Sequence, residues 1–228
     1  MVSCKLAAVS VVAAVAMSCS VLSQSPDYSK QSDGARQADG ALKPPACLPA
    51  RTGELVVNEI LAKPGGVDLD GDGKSTGRDE ALELIYVGDV PGHLQGAHLL
   101  ANATDKGAIA DPHCLQPGDL LVLTGSTALQ LALPAGVHQL RLAGALELKD
   151  GGADLAIAGV LGTVLGDAVY PAAVGGQSYV RVVDGDRTAP WIEHPLVGGV
   201  RHSLGSRRGD AEAVSPAAGQ AAAPASQP

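Results

Sequence analysis

Two runs of alternating apolar and polar residues flank an acidic loop between Glu54 and Asp89. Residues 55–60 (LVVNEI) alternate roughly, with a break after Asn58, and residues 81–86 (ALELIY) alternate cleanly. A period of two places one face of a strand against a core and the other face in solvent. The pattern therefore predicts two β-strands joined by the acidic loop.

Short apolar segments separated by Gly and Pro continue the pattern as far as residue 183. They include 120–124 (LLVLT), 177–183 (QSYVRVV) and 145–148, which leads into a hairpin signal at 149–152. About nine short strands at near-regular spacing indicate a β-sandwich or barrel. The 29 Gly and 15 Pro also favour many turns over long helices.

The first residues have the pattern of a targeting signal. Leu6 to Met17 is apolar except for Ser10, which suits a signal peptide over residues 1–18 and is too short to span a bilayer. Residues 16–19 (AMSC) resemble a bacterial lipobox, in which Cys19 is lipidated. Ordinary cleavage with free secretion is the alternative. We therefore expect export to the bacterial cell envelope, with a lipid anchor in a membrane or otherwise as a secreted protein.

Polar, low-complexity sequence borders the predicted domain on both sides. Residues 19–46 are rich in Ser, Gln, Asp, Gly and Ala, and residues 209–228 in Ala, Pro, Ser and Gln. Such segments bury too little apolar surface to offset their ordering entropy. We predict a disordered flexible tether over 19–46, one domain over 47–208 and a disordered tail over 209–228.

The cysteines allow one disulfide in the exported domain, and the net charge bears on the kind of partner. Cys4 leaves with the signal peptide, and acylation of Cys19 would leave Cys47 and Cys114 as a pair. Export permits a disulfide between them, although two separate thiols remain the alternative.

The formal net charge of -8 repels phosphate backbones, so no nucleic-acid partner is expected.

The acidic loop places carboxylates at every second position, at Asp68, Asp70 and Asp72. This spacing lets several oxygens turn toward one hard cation, as in calcium loops. Read as a twelve-position loop, it continues through the Lys74 carbonyl and Thr76 and ends at Asp79, one residue before Glu80. We predict a structural calcium, with candidate ligands Asp68, Asp70, Asp72, Lys74, Asp79 and Glu80. The alternative is a turn that needs Asp and Gly for its backbone alone.

Five short motifs in order make the chain similar to a bacterial lamin-tail domain. They are VNEI at 57–60, DEALEL at 79–84, LQGA at 94–97, PGDLLV at 117–122 and GQSYVR at 176–181. The chain departs from the family at Ala97, where an aromatic residue is usual, and at Leu204, where the closing motif has Pro. The resemblance, over about residues 52–206, implies an immunoglobulin-like β-sandwich without catalytic activity, used as a secreted or surface adaptor.

These observations favour a non-catalytic, envelope-anchored binding or structural module with a calcium-stabilised loop. Its expected partner is an envelope protein or polysaccharide. The alternative is a secreted metal-dependent hydrolase that uses the acidic loop. A carboxylate-only site suits a structural calcium, whereas a catalytic zinc would want histidine. Glu59 and Glu83, on adjoining strands, also have the residue types of a glycosidase pair, but a structural role is favoured.

Overall fold

The computed structural model describes residues 47–126, 128–130, 132–195 and 201–207, which form an all-β sandwich and confirm the predicted fold class. One 3-10 turn, Gly77–Asp79, is the helical element among these residues. The signal peptide, Cys19, the tether and the tail from 209 onward lie outside the described residues. The strands are β1 Leu48–Pro49, β2 Leu55–Leu61, β3 Ala81–Tyr86, β4 Gly92–His93, β5 His98–Ala101, β6 Thr104–Ala108, β7 Leu120–Thr124, β8 Val137–Arg141, β9 Ala153–Ala158, β10 Val164–Tyr170, β11 Tyr179–Arg181 and β12 Trp191–Glu193.

The larger sheet has six strands in the order β12-β11-β2-β3-β7-β8. Strand β2 lies inside it and pairs antiparallel with both β3 and β11, while β7 and β8 pair in parallel. The β2–β3 register shifts between Val57 and Glu59. A β-bulge adds one residue to one strand and so resets its alternation. The bulge therefore accounts for the break in the sequence pattern after Asn58.

The smaller sheet has four antiparallel strands in the order β10-β9-β5-β6, and β1 pairs in parallel with β4 to form a two-stranded ribbon. Side chains from the two large sheets meet in one core that consists almost entirely of Leu, Val, Ile and Ala. Tyr86 and Tyr170 are the large aromatic residues buried in it. The core is poor in aromatic residues because the chain has no Phe and one Trp.

The outer face of the six-stranded sheet is also covered. Leu69 of the acidic loop and Leu204 of segment 201–207 pack there against three strand residues. We call this group the outer-face cluster: Leu61, Leu69, Ala81, Val122 and Leu204. Every residue of β2 and β3 is consequently buried. Segment 201–207 and the acidic loop are thus fixed to the same sheet face by apolar contacts.

A disulfide joins Cys47, where the described chain begins, to Cys114. The two Cα atoms are 5.8 Å apart and the residues are 67 positions apart in sequence. Cys47 immediately precedes β1, and Cys114 precedes Leu115, which bridges to Gly92 at the start of β4. The bridge therefore fixes the entry of the chain against the ribbon of β1 and β4.

The prediction of a strand over 145–148 is wrong. These residues form no strand, although Leu146 and Leu148 are buried in the core. Glu147 between them has a φ of 49°, in the left-handed region that an extended strand does not use. The apolar positions at this point therefore reflect burial of a loop and not strand pairing.

Candidate metal centre

The acidic loop leaves the six-stranded sheet after β2 and returns to it at β3. Just before β3, the 3-10 turn is closed by a reciprocal capping box. The Thr76 hydroxyl accepts from the Arg78 amide, and the Asp79 carboxylate accepts from the Thr76 amide at 2.8 Å. Leu69 anchors the middle of the loop in the outer-face cluster. The loop is therefore held at both ends and at its centre.

Three carboxylates meet in this loop, from Asp68, Asp70 and Asp79. Each offers one oxygen, and these oxygens all lie within 4.8 Å of one another. Asp68 is exposed, whereas Asp79 is buried and the Asp70 side chain is only 3% exposed. A site open on one side and composed of oxygens alone has the ligand chemistry of calcium.

Backbone amides donate to all three carboxylates, and Asp70 Oδ1 accepts from the Asp72 amide at 3.2 Å. Asp68 accepts from the amides of Gly71 and Gly73, both at 2.8 Å, and both glycines have positive φ values of 72° and 80°. Asp79 accepts from the Leu69 amide at 2.7 Å and the Asp70 amide at 3.2 Å. These bonds curl the chain so that side chains two residues apart face one centre, which is why Gly follows the aspartates.

One oxygen of the third carboxylate, Asp70, lacks a hydrogen-bond donor among the described residues. Its Oδ2 is buried and accepts no hydrogen bond within the described residues, although Arg78 Nε lies 3.3 Å away. That contact is an ion pair without hydrogen-bond geometry. Because an exposed guanidinium compensates a buried carboxylate only in part, Asp70 Oδ2 is the ligand atom best suited to accept a cation.

The other three candidate ligands lie outside this triad. Asp72 is exposed, accepts from the Lys74 amide at 2.9 Å and lies 3.8 Å from the Arg78 guanidinium. Lys74 is also exposed. Glu80 points elsewhere, because its carboxylate accepts from the Leu148 amide at 2.9 Å. The structure thus brings together the first two aspartates of the motif and the distant Asp79.

Glu80 has an unusual ionisation of its own. Its pKa is raised from 4.5 to about 7, chiefly by burial. The nearby carboxylates of Asp150 and Glu147 contribute to the rise, and the hydrogen bond from the Leu148 amide opposes it. Nothing in the local sequence signals this, because the partner segment lies 68 residues away. The carboxyl group links the end of the acidic loop to the buried loop at 145–148.

Glu59 and Glu83, opposite each other on β2 and β3, form a second buried carboxylate pair. Glu59 accepts from the hydroxyls of Ser178 and Ser203, both at 2.5 Å, and Glu83 accepts from the Gly205 amide at 2.7 Å. Burial raises the pKa of both groups, and their mutual repulsion raises that of Glu83 further. Both carboxylates face donors from the protein itself, which supports the structural role expected of them.

The comparisons with known proteins add no relative. No family model matches the chain, and no curated protein matches it. The similarity to lamin-tail domains therefore stays a prediction from the five motifs.

No helix within the described ranges has both the length and the apolar character required to cross a bilayer.

Proposed function

We propose that this chain is a non-catalytic binding or structural module of the bacterial cell envelope, with calcium stabilising its acidic loop. The observation that carries the proposal is the convergence of oxygens from Asp68, Asp70 and Asp79 within 4.8 Å. A calcium ion there would bridge the start and the end of the loop and would satisfy Asp70 Oδ2. The loop would then be a rigid platform at one end of the sandwich.

We further propose that a lipid anchors this module to a membrane and that the module binds a ligand in the envelope. Cys19 would carry the lipid, residues 19–46 would act as the tether, and an envelope protein or polysaccharide would be the ligand of the sandwich. The support is the lipobox-like sequence at 16–19 and the similarity to lamin-tail adaptors. A Cys19→Ala chain that still takes up a palmitate analogue would contradict the anchor.

The hydrolase alternative has no observation in its favour. The one group of metal-ligating side chains found among the described residues contains carboxylates alone. Structural calcium sites have this composition, whereas catalytic zinc sites rely on histidine. We therefore keep the binding module as the proposed function.

Calcium titration tests the metal site directly. We expect calcium to bind by calorimetry and to stabilise the folded protein by about 2.7 kcal/mol when its concentration is about 100 times the dissociation constant. Asp70→Asn, which removes a triad charge, should abolish both effects. Asp72→Asn is the matched control, because it changes an exposed aspartate outside the triad and should keep most of the binding.

Two outcomes of the calcium titration would contradict the metal site. Calcium that leaves the melting temperature of the wild-type chain unmoved would remove it. Equal losses in Asp70→Asn and Asp72→Asn would instead point to general charge repulsion in the loop, and would overturn the assignment of the triad.

A further inference from the structure

The hairpin turn between β9 and β10 carries apolar residues where turns are ordinarily polar. The Gly162 amide donates to the Gly159 carbonyl at 2.8 Å, which closes a β-turn with Val160 and Leu161 at its centre. Such centres favour Gly, Pro, Asn, Asp and Ser for backbone reasons. Val160 is 60% exposed and Leu161 is 87% exposed, so these side chains add little to the core.

Two more exposed apolar residues are the sequence neighbours of residues that line a cleft beside this turn: Val164 precedes Leu165, and Leu48 precedes Pro49. A shallow cleft separates the turn from the entry of the chain, and Pro49, Ala50, Val160 and Leu161 are among its lining residues. None of the lining residues is Asp, Glu, Lys or Arg. We call Leu48, Val160, Leu161 and Val164 the apolar tip.

The apolar tip lies at the end of the sandwich where the N-terminal segment joins the domain. Cys47 is fixed there by its disulfide to Cys114, directly before Leu48. The Gly53 amide, two residues before β2, donates to the Val164 carbonyl at 3.2 Å. The tip therefore faces the beginning of β2.

The acidic loop and the nearby charges do not oppose an apolar ligand at this end. The loop begins after the last residue of β2, and a strand of this length spans roughly 20 Å. Arg51, Glu54 and Asp89 do lie near the start of β2, but the Arg51 guanidinium is paired with Glu54 at 2.7 Å and with Asp89 at 2.5 Å. One guanidinium and two carboxylates leave a single excess negative charge near the start of β2, whereas several carboxylates are concentrated at the far end.

We propose that the apolar tip inserts into the lipid bilayer that holds the anchor. The inference rests on the proposed lipid anchor at Cys19. Exposed apolar side chains at the point where the tether joins would enter the interface at little desolvation cost. The tether keeps the domain at a high local concentration near the bilayer, so a weak contact of the tip is sufficient. The acidic loop then points away from the membrane.

The first experiment replaces biological acylation by a chemical anchor. In the chain from Cys19 onward, the disulfide leaves Cys19 as the one thiol, which couples to a maleimide lipid in phosphatidylcholine vesicles. A reporter tryptophan is introduced as Leu161→Trp in a Trp191→Phe background. Lys74→Trp, on the acidic loop, is the control in the same background. The result is independent of whether cells acylate Cys19.

We expect the emission of the Leu161→Trp reporter to shift to the blue and to be quenched by lipids brominated on their acyl chains. The Lys74→Trp reporter should show neither change. Equal, water-like emission from both reporters on vesicles would overturn the insertion of the tip while leaving the lipid anchor at Cys19 untouched. Both variants should first show the urea midpoint of their Trp191→Phe parent.

A second measurement uses the same chain without coupling. Val160→Ser with Leu161→Ser should weaken partition into phosphatidylcholine vesicles by about tenfold or more, because two apolar side chains are lost from the interface. Val169→Ser, another exposed valine on β10, is the control and should change partition little. Unchanged partition of the double variant overturns the proposal, as does self-association of the wild-type chain that the double variant abolishes.

Discussion

At the scale of single residues, burial raises the pKa of Glu59, Glu80 and Glu83. Glu59 and Glu83 are fully occupied by donors from the protein, and Glu80 is held by the Leu148 amide. Asp70 differs from them, because its buried Oδ2 accepts no hydrogen bond from any described residue. Glu59, Glu80 and Glu83 therefore contribute to the fold, whereas Asp70 is the carboxylate best suited to bind a ligand.

Glu80 makes stability depend on pH. Its pKa is about 7 in the folded protein against 4.5 for an ordinary glutamate, so the folded state binds the proton more tightly. The stabilisation is complete below the unfolded pKa and is lost as pH rises through about 7. With chelator present, Glu80→Gln should therefore be more stable than wild type at about pH 8, with a smaller difference at about pH 5, by urea unfolding.

Glu147→Gln is the matched control for this prediction. Glu147 is exposed, and its hydrogen bond and ion pair with Lys106 lower its pKa. Its replacement removes a contribution to the pKa of Glu80 that is smaller than that of burial, so most of the slope between about pH 5 and about pH 8 should remain. A Glu80→Gln variant that keeps the full wild-type slope would show that another group causes it.

At the scale of elements, segment 201–207 is held to the sheet by polar as well as apolar contacts. The Ser203 amide and hydroxyl donate to the two oxygens of Glu59, at 2.8 Å and 2.5 Å, and the Gly205 amide donates to Glu83. Leu204, between them, packs in the outer-face cluster. A short irregular segment thus closes the outer face of β2 and β3.

Ser203→Ala tests the weight of this closure. The change leaves Glu59 Oε2 without its hydroxyl donor inside the protein, and an unsatisfied buried acceptor costs about 1–3 kcal/mol. We expect urea unfolding to show a loss of this size, with faster hydrogen exchange in segment 201–207. Ser206→Ala, in the same segment, should cost less than about 0.5 kcal/mol. Equal losses in the two variants would refute the closure.

Sequence reasoning found the elements whose information is local. The alternation of residues 81–86 predicted β3, and the twelve-position reading of the acidic loop named all three aspartates of the triad. The pattern broke after Asn58, but the bulge at that point was not predicted. Sequence reasoning missed the donors from Ser203 and Gly205, because their partners lie 144 and 122 residues away and no local pattern encodes the contact. The strand predicted over 145–148 failed for a similar reason, since burial alone explains its leucines.

At the scale of the whole molecule, the disulfide is the long-range constraint that ties the entry of the chain to the middle of the fold. Its loop spans 67 residues. On the chain-entropy model, closing a loop of this size contributes about 4 kcal/mol. The bridge is therefore a large fraction of the stability of an ordinary domain.

Removing the bridge measures this contribution. Cys47→Ala with Cys114→Ala should lower the free energy of unfolding by about 4 kcal/mol in urea, chiefly through the entropy of the unfolded chain. Reductant should destabilise the wild-type chain by a similar amount and leave the double variant unchanged. Cys19→Ala is the control, because Cys19 lies outside the bridge. A double variant as stable as wild type would refute this role of the bridge.

The position of β2 has a consequence for the order of events during folding. Glu59 within it bonds to Ser178, which is 119 residues away and adjoins β11. Until β11 has docked, one edge of β2 stays unpaired, and such edges are prone to aggregation. The late docking of β11 is therefore the step at which we expect this chain to be most exposed to misassembly.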